Sequence, residues 1–273
     1  VTRRVLAAWT VGTAAFLLAP IALIVLYAFN PSNVQGWPID GLSTKWFAST
    51  FANHEMRQAL WLSVRAALIA TAIAIALGSL GAFAVHRFRF FGREAVSFVF
   101  ILPLALPGII TGMALNSFFA FGGVDFSLTT IIIGHATFCI VVVYNNVLAR
   151  LRRTQGSLVE ASMDLGANGF TTFRLVTLPV ISTALVAGGL LAFALSFDEV
   201  IVTTFTAGAQ NTLPLWIFGQ IRLGQRLPQV NVVVLVVIAL TIVPVILAQR
   251  LSRDTGLLRG TASAPRARGR GPR

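Results

Sequence analysis

A single lysine, Lys45, and a single cysteine, Cys139, occur in the whole sequence. One cysteine excludes an internal disulfide and every paired-cysteine metal pattern. One lysine, outside any Gly-Lys-Ser/Thr string, leaves no phosphate-binding loop of the usual kind. His54, His86 and His135 are scattered. None has another His, Cys or carboxylate at ligand spacing on one helix face, so no metal site is expected. No serine stands in a G-x-S-x-G elbow. These absences point away from an enzyme. Any uphill work by this chain must draw its energy from elsewhere.

Charge is scarce too. Of 273 residues 11% are charged and 56% hydrophobic, against about 25% charged in an ordinary soluble domain; the mean hydropathy is +0.82. Uncharged apolar runs recur at Val5–Phe29, Ala66–Val85, Ala95–Ala120, Phe126–Ala149, Leu175–Phe197 and Leu227–Gln249. Each reaches the ~20 residues a helix needs to cross a ~30 Å hydrocarbon core. The expectation is an all-α polytopic membrane protein with six transmembrane helices.

A net charge of +12 suggests nucleic acid until its placement is considered. With the amino terminus placed in the cytoplasm, sixteen of the 21 basic residues fall on cytoplasmic segments, seven of them between Arg250 and Arg273. Basic residues in short loops mark the cytoplasmic face, so both termini are expected there and no nucleic-acid partner is. Arg3 and Arg4 before the first run resemble a signal peptide. That run is longer than a signal's apolar core and lacks a small-residue cleavage site, so a retained anchor is expected.

Val200–Ile221 also lacks charge, but Gly208, Gln210, Asn211, Thr212 and Pro214 interrupt it. In lipid their polar groups would need partners, and a seventh crossing would put the basic tail outside. It reads as a loop or re-entrant helix on the outer face. The expected organisation is a six-helix domain over 1–258, with a cytoplasmic loop at 150–179, and a basic low-complexity tail over 259–273.

Glu160–Pro179 is too polar to cross a bilayer. Leu158–Leu165 reads as a short helix, and Gly166 and Gly169 bracket a turn at Ala167 and Asn168. Phe170, Phe173, Leu175 and Val176 form a second apolar set before Pro179. The residues alone leave two readings open: a docking knob for a soluble partner, or a connecting loop packed on its own spans.

Asp198 and Glu199 lie at the end of the fifth run, ~28 Å along a helix from Pro179. Membrane carboxylates tend to face a cavity or partner and to mark ion pathways. Together they would attract a small di- or tri-ammonium solute, with Ser196 adding a hydroxyl and Trp46 a cation–π face. The alternatives are an interfacial pair that binds Arg222, Arg226 or solvent, and an interfacial anchor role for Trp46. Pro103, Pro107, Gly108 and Gly112 in the third run suggest a bent helix that lines a passage and changes shape. Asn145 and Asn146 are expected to hydrogen-bond between helices, and His135 to be a satisfied packing residue rather than a ligand.

The 160–179 segment resembles the EAA signature of permease subunits of binding-protein-dependent ABC importers. That pattern runs Glu-Ala-Ala, a glycine four residues on, an apolar residue and Leu-Pro. It is matched here by Glu160, Ala161, Ser162, Gly166, Leu175, Leu178 and Pro179, with Ser162 in place of the second alanine. The strings LPLALPGIITGMAL, GHATFCIVVVYNNVLARLRR, SLVEASMDLGAN and SFDEVIVTTFTAGAQNTLPLWIF, with Thr44 to Phe47, are similar to the second permease of spermidine/putrescine-type importers.

The resemblance implies a type I ABC importer permease fold in a bacterial cytoplasmic membrane. It also implies coupling to the ATPase through Glu160, Ala161, Ser162, Asp164, Gly166, Ala167, Phe170, Phe173, Leu178 and Pro179. The implied partners are a second permease subunit, two cytoplasmic ABC ATPase subunits, an extracytoplasmic solute-binding protein and a small cationic substrate. ATP and magnesium would sit in the ATPase, with no cofactor on this chain. A polyamine is the favoured solute, with another amino-compound, opine or metal-type solute as the alternative. A stand-alone carrier or channel would need acids at mid-membrane in several spans, and the first three runs contain none.

Overall fold

Alanines organise the largest bundle in the protein. The computed structural model describes residues 2–241, all-helical with no strand among the described residues. In order the helices are α1 Thr2–Ala28, α2 Lys45–Ala52, α3 His54–Arg87, α4 Arg93–Ala105, α5 Gly108–Phe121, α6 Leu128–Arg153, α7 Ser157–Asp164 and α8 Gly169–Thr172. The last of these passes through a π-helical turn, Phe173–Thr177, into α9 Leu178–Phe197. Then come α10 Ile201–Thr206, α11 Leu213–Leu223 and α12 Leu227–Thr241.

Among the described residues four helical segments are long and apolar enough to cross a membrane: α1, α3, α6 and the continuous Gly169–Phe197. The third apolar run is two helices, α4 and α5, bent by 104°. Leu106 is extended (φ −83, ψ 142), as the residue before a proline tends to be, and Pro107 then caps α5. The expected bend in one passage-lining span is therefore a break between two helices. The sixth run is described only as far as Thr241; its remainder and the expected tail at 259–273 lie outside the described residues.

The chain divides into two compact units, Asn53–Leu223 and a second made of 1–52 with the segment from Gly224. In the first, Asn53 caps α3 by accepting from the Met56 N–H (3.2 Å). The buried face of α3 carries Ala59, Ser63, Ala66, Ala70, Ala74, Gly78 and Ala82. Small residues at this spacing let helices approach closely where lipid offers no hydrophobic drive. The cluster they form with α6 and α9 includes Phe138, Cys139, Val143, Tyr144, Val147 and Ile181. Tyr144 also stacks on Phe100 at 4.7 Å and donates to Ser97 Oγ (2.9 Å), which holds α4 on α6.

The segment expected to be an outer loop or re-entrant helix forms α10 and α11. With 6 and 11 residues, neither is long enough to cross. Both pack back on the bundle. A Cβ at Gly112 would come within 2.6 Å of Phe205. Asn116 Nδ2 donates to the Phe205 carbonyl (2.7 Å), Thr130 Oγ1 to the Thr206 carbonyl (2.7 Å), and the Leu213 N–H to Ser63 Oγ (2.8 Å).

In the second unit α2 is tied to the end of α1. The Trp46 indole donates to the Asn30 carbonyl (2.9 Å), the Ser43 N–H donates to the Phe29 carbonyl (2.7 Å), and the rings of Phe29 and Phe47 lie 5.3 Å apart. Most of α1 presents apolar side chains outward, as a lipid-facing helix does.

The tightest point of the seam is Gly78, where an added Cβ would lie 2.8 Å from the Ile140 carbonyl oxygen. Gly78→Leu is expected to cost about 1–3 kcal/mol through overpacking. Gly12→Leu, with nothing within 4 Å of its Cβ, should be neutral. Thermal unfolding of the two purified variants in detergent checks the contrast.

Candidate functional site

The 150–179 segment is built as a rigid hairpin of helices. Arg150 Nε donates to the Val180 carbonyl (2.9 Å) and ties the end of α6 to the start of α9. α7 closes with the Ala167 N–H on the Ser162 carbonyl (3.1 Å) and the Gly166 N–H on the Met163 carbonyl (2.9 Å). That is the paired bonding of a Schellman cap, and it needs a residue with positive φ at the turn. Gly166 supplies it at φ +85. Asn168 then caps α8 by accepting from the Thr171 N–H (2.9 Å).

The π turn ends with the Leu178 N–H bonded to the Phe173 carbonyl. Pro179 follows at once, with no hydrogen to donate and a ring that crowds the carbonyl four residues earlier. The wider turn gives that ring room. From Gly169 to Phe197 the chain is then one helical rod of 29 residues, roughly 43 Å long.

Ser162, the departure from Glu-Ala-Ala, is not merely a small residue in a tight place. Its Oγ lies 2.6 Å from Thr172 Oγ1, and Thr172 is buried. The bond locks α7 against α8. Glu160, Ala161, Asp164, Gly166 and Pro179 are exposed, and Ala167 is half-buried. The two phenylalanines differ. Phe173 packs edge-on against Phe83 (5.6 Å, 67°), whereas Phe170 is 72% exposed. Leu165 is 89% exposed and was not among the residues expected to couple. Its signal was position: the residue just before a glycine cap no longer belongs to the buried face of its helix.

At the opposite end of the bundle the expected pathway residues separate. Ser196 is 2% exposed, and its Oγ is 2.8 Å from His135 Nδ1. His135 Nε2 is 2.8 Å from Thr203 Oγ1. Ser196 is thus an internal partner of the buried histidine and not a passage-lining hydroxyl; the expectation that His135 is satisfied by packing partners holds. Glu199 Oε1 accepts from the Val202 N–H (2.9 Å) and caps α10, while Asp198 is exposed at the end of α9. The acids are therefore not an equivalent pair. For Trp46, one ring face is covered by the Lys45 ammonium at 4.6 Å, and its N–H is bonded as described above. These contacts make it an anchor of α2 rather than an open cation–π face. Pro103 lies inside α4, Pro107 and Gly108 at the break, and Gly112 against Phe205.

Residues 74–256 match the family described as binding-protein-dependent transport system inner membrane component. The Escherichia coli (strain K12) putrescine transport system permease protein PotI is 37% identical over 225 residues, 79% of each chain. The spermidine/putrescine transport system permease protein PotC is 33% identical in Escherichia coli (strain K12), covering 88% of this chain and 90% of that one. The Haemophilus influenzae PotC is 33% identical, over 88% and 93%. Among solved structures, a bacterial ABC transporter involved in the import of alginate superposes with a TM-score of 0.65 at 17% identity, covering 93% of this chain and 96% of that one. The inward-facing MetNI methionine ABC transporter gives 0.59 at 17% identity, over 77% and 98%. Both show the shared fold.

The hairpin's rigidity rests on two local features. Gly166→Val forces a β-branched residue to positive φ, at a cost of about 1–3 kcal/mol. Ser162→Ala removes one hydrogen bond, worth about 1 kcal/mol. Limited proteolysis of the membrane-inserted variants should cut within 157–172 faster in both, and fastest in Gly166→Val.

Proposed function

This chain belongs to the family of binding-protein-dependent transport system inner membrane components, and we propose that it forms half of the passage for a small polyamine of the putrescine and spermidine kind. As an importer permease it is a multi-pass inner-membrane transport subunit. The observation that carries the coupling role is the hairpin at 157–179, an ordered turn that holds Leu165 and Phe170 outward. Exposed apolar side chains on a rigid frame serve as anchors for a partner's pocket. The partner is the cytoplasmic ATPase, which binds and hydrolyses ATP with magnesium; one ATPase serves this chain and another a second permease.

ATP binding draws the ATPases together, and the hairpin follows. Because α8, the π turn and α9 form one rod, displacement at Phe170 reaches the His135–Ser196–Thr203 node and the α9–α10 junction. The passage then exchanges an inward-open for an outward-open state, a shift that needs differential affinity of the motor for the two. Solute delivered by an extracytoplasmic binding protein meets Asp198 at the outer mouth and leaves toward the cytoplasm, where both termini lie. The polyamine assignment is supported by the names of the relatives and by an exposed carboxylate at that mouth.

Leu165→Asp with Phe170→Asp should remove the ATPase from affinity-purified membranes and leave the permease pair inserted. ATPase retained at the wild-type level would refute the docking role. Substrate class is tested by ATP-dependent uptake of labelled putrescine into vesicles that hold the whole complex. Uptake should saturate, and spermidine should compete with it. Asp198→Asn should lower that uptake severalfold.

A further inference from the structure

Three of the apolar runs stop at the walls of one cavity. α3 turns polar after Val85, α6 after Ala149, and the run that enters α9 begins at Leu175. The cavity, of about 420 Å³, opens between the end of α3, the end of α6 and the inner side of the 157–179 hairpin. Its size falls in the ~300–1,000 Å³ range of small-ligand sites. Its apolar lining includes Phe83, Met163, Phe173 and Val176, none of them fully buried. His86 and Arg87 give it a basic side.

That side is supplied from three helix ends. Arg87 closes α3, Arg93 opens α4 and Arg152 stands in the last turn of α6. Arg93 lies one turn from Ser97, where the Tyr144 bond holds α4 on α6. The charges of Arg93, Arg152 and Arg87 all act on the His86 ring, which gathers them about one point at the cavity's edge. Arg87 and Arg152 are exposed and Arg93 is half-buried. Among the described residues no hydrogen bond or ion pair takes up these three side chains, whereas Arg150 is spent on the Val180 carbonyl. Glu94 and Glu160 bring negative charge to the same corner, but Arg87, Arg89, Arg93, Arg152 and Arg153 outnumber them. Glu160 belongs to the hairpin wall, so an anion sits on the α3 side.

The chemistry of the guest follows. Guanidinium groups grip phosphate oxygens in pairs, and the apolar lining asks for hydrocarbon on the same molecule. Phe88 and Phe91, on the chain between α3 and α4, are exposed. Exposed apolar rings beside arginines suit the boundary between headgroups and acyl chains, and basic pockets between helices at the inner surface are where anionic headgroups bind. We propose that this cavity seats an anionic phospholipid, with its phosphate on Arg87, Arg93 and Arg152 and an acyl chain against Phe83 and Phe173. The lipid thereby backs the hairpin at the point where those two rings meet. The seat goes beyond the transport reading and needs neither solute nor nucleotide.

The test uses the assembled complex of both permeases and both ATPases in detergent, with bound lipid counted by native mass spectrometry. Phosphatidylglycerol is the probe, with phosphatidylcholine and glycerol 3-phosphate beside it. The wild type should bind phosphatidylglycerol saturably, and the other two at least about tenfold more weakly. Arg87→Gln with Arg152→Gln should weaken phosphatidylglycerol binding roughly tenfold or more, since each arginine near an anionic surface contributes about a factor of five. Arg87→Lys with Arg152→Lys should keep most of the binding. Arg3→Gln with Arg4→Gln, which removes the same charge elsewhere, should leave it unchanged. Co-purification of all subunits shows that each variant assembles. Wild-type binding by the glutamine variant overturns the seat, as does equal loss in the Arg3 and Arg4 variant, which marks a diffuse charge effect. Equal loss in the lysine and glutamine variants marks a structural role and overturns it too. Phosphatidylcholine bound as tightly as phosphatidylglycerol removes the anion site, and glycerol 3-phosphate bound as tightly replaces the lipid with a free phosphate. Neither putrescine nor ATP enters the measurement, so its failure leaves the transport reading standing, and failed putrescine uptake leaves the seat standing.

Discussion

A polar group in hydrocarbon has no water to fall back on, so each one carried into the bundle must find its partner inside the protein. That constraint explains the interior here. His135 in the middle of the α3–α6–α9 cluster has both ring nitrogens engaged, one by Ser196 and the other by Thr203. Thr130 and Asn116 spend their side chains on the free carbonyls of α10. These bonds do more than satisfy donors. They fasten α10, too short to cross, onto α5 and onto α6, which is long enough to cross. Losing one partner would leave a buried group unmet, a larger penalty than the net worth of the bond itself. The polar contacts and the small-residue seam of α3 therefore work together: the seam brings backbones close, and the polar pairs set which side chains face each other.

The same reasoning separates the two ends of the molecule. At the hairpin the backbone is closed by caps, with Gly166 and Asn168 satisfying the turn between α7 and α8. The caps leave no backbone slack in the turn. Apolar Leu165 and Phe170 stand outside this frame. Hydrogen-bonded rigidity beneath exposed apolar tips is what a mechanical contact requires, because a floppy loop would absorb displacement. The rod from Gly169 to Phe197 continues from that frame without a break. The π turn changes its pitch but does not break it.

Much of this was legible in the chain. Run length alone located the long helices, because lipid thickness sets a length scale that few other structures share. The turn of the hairpin was legible at Gly166, because positive φ demands a particular residue type; Gly169, the other glycine of the expected turn, instead begins α8 with Asn168 as its cap. What could not be read was anything that depends on partners distant in sequence. Ser196 lies 61 residues from His135 and looked free to line a passage. Glu199 looked equivalent to Asp198 until α10 began beside it and took its carboxylate as a cap. The break at Pro107 was visible as a proline, but its 104° angle is set by what α4 and α5 pack against, and no local rule supplies that. Ser162 stood in the pattern only as a replacement for alanine, and its bond to Thr172, ten residues on, could not be read from that.

The two ends also differ in charge. Arg87 closes α3, Arg89 and Arg93 come after it, and Arg150, Arg152 and Arg153 close α6, all at the end that carries the hairpin. At the other end Arg57, Arg65 and Arg222 stand among the carboxylates of Glu55, Asp198 and Glu199, so charge of both signs is mixed there. A fixed field does no work around a closed cycle, so a charge difference of this kind can set which steps of a cycle are slow but cannot drive net movement of a solute.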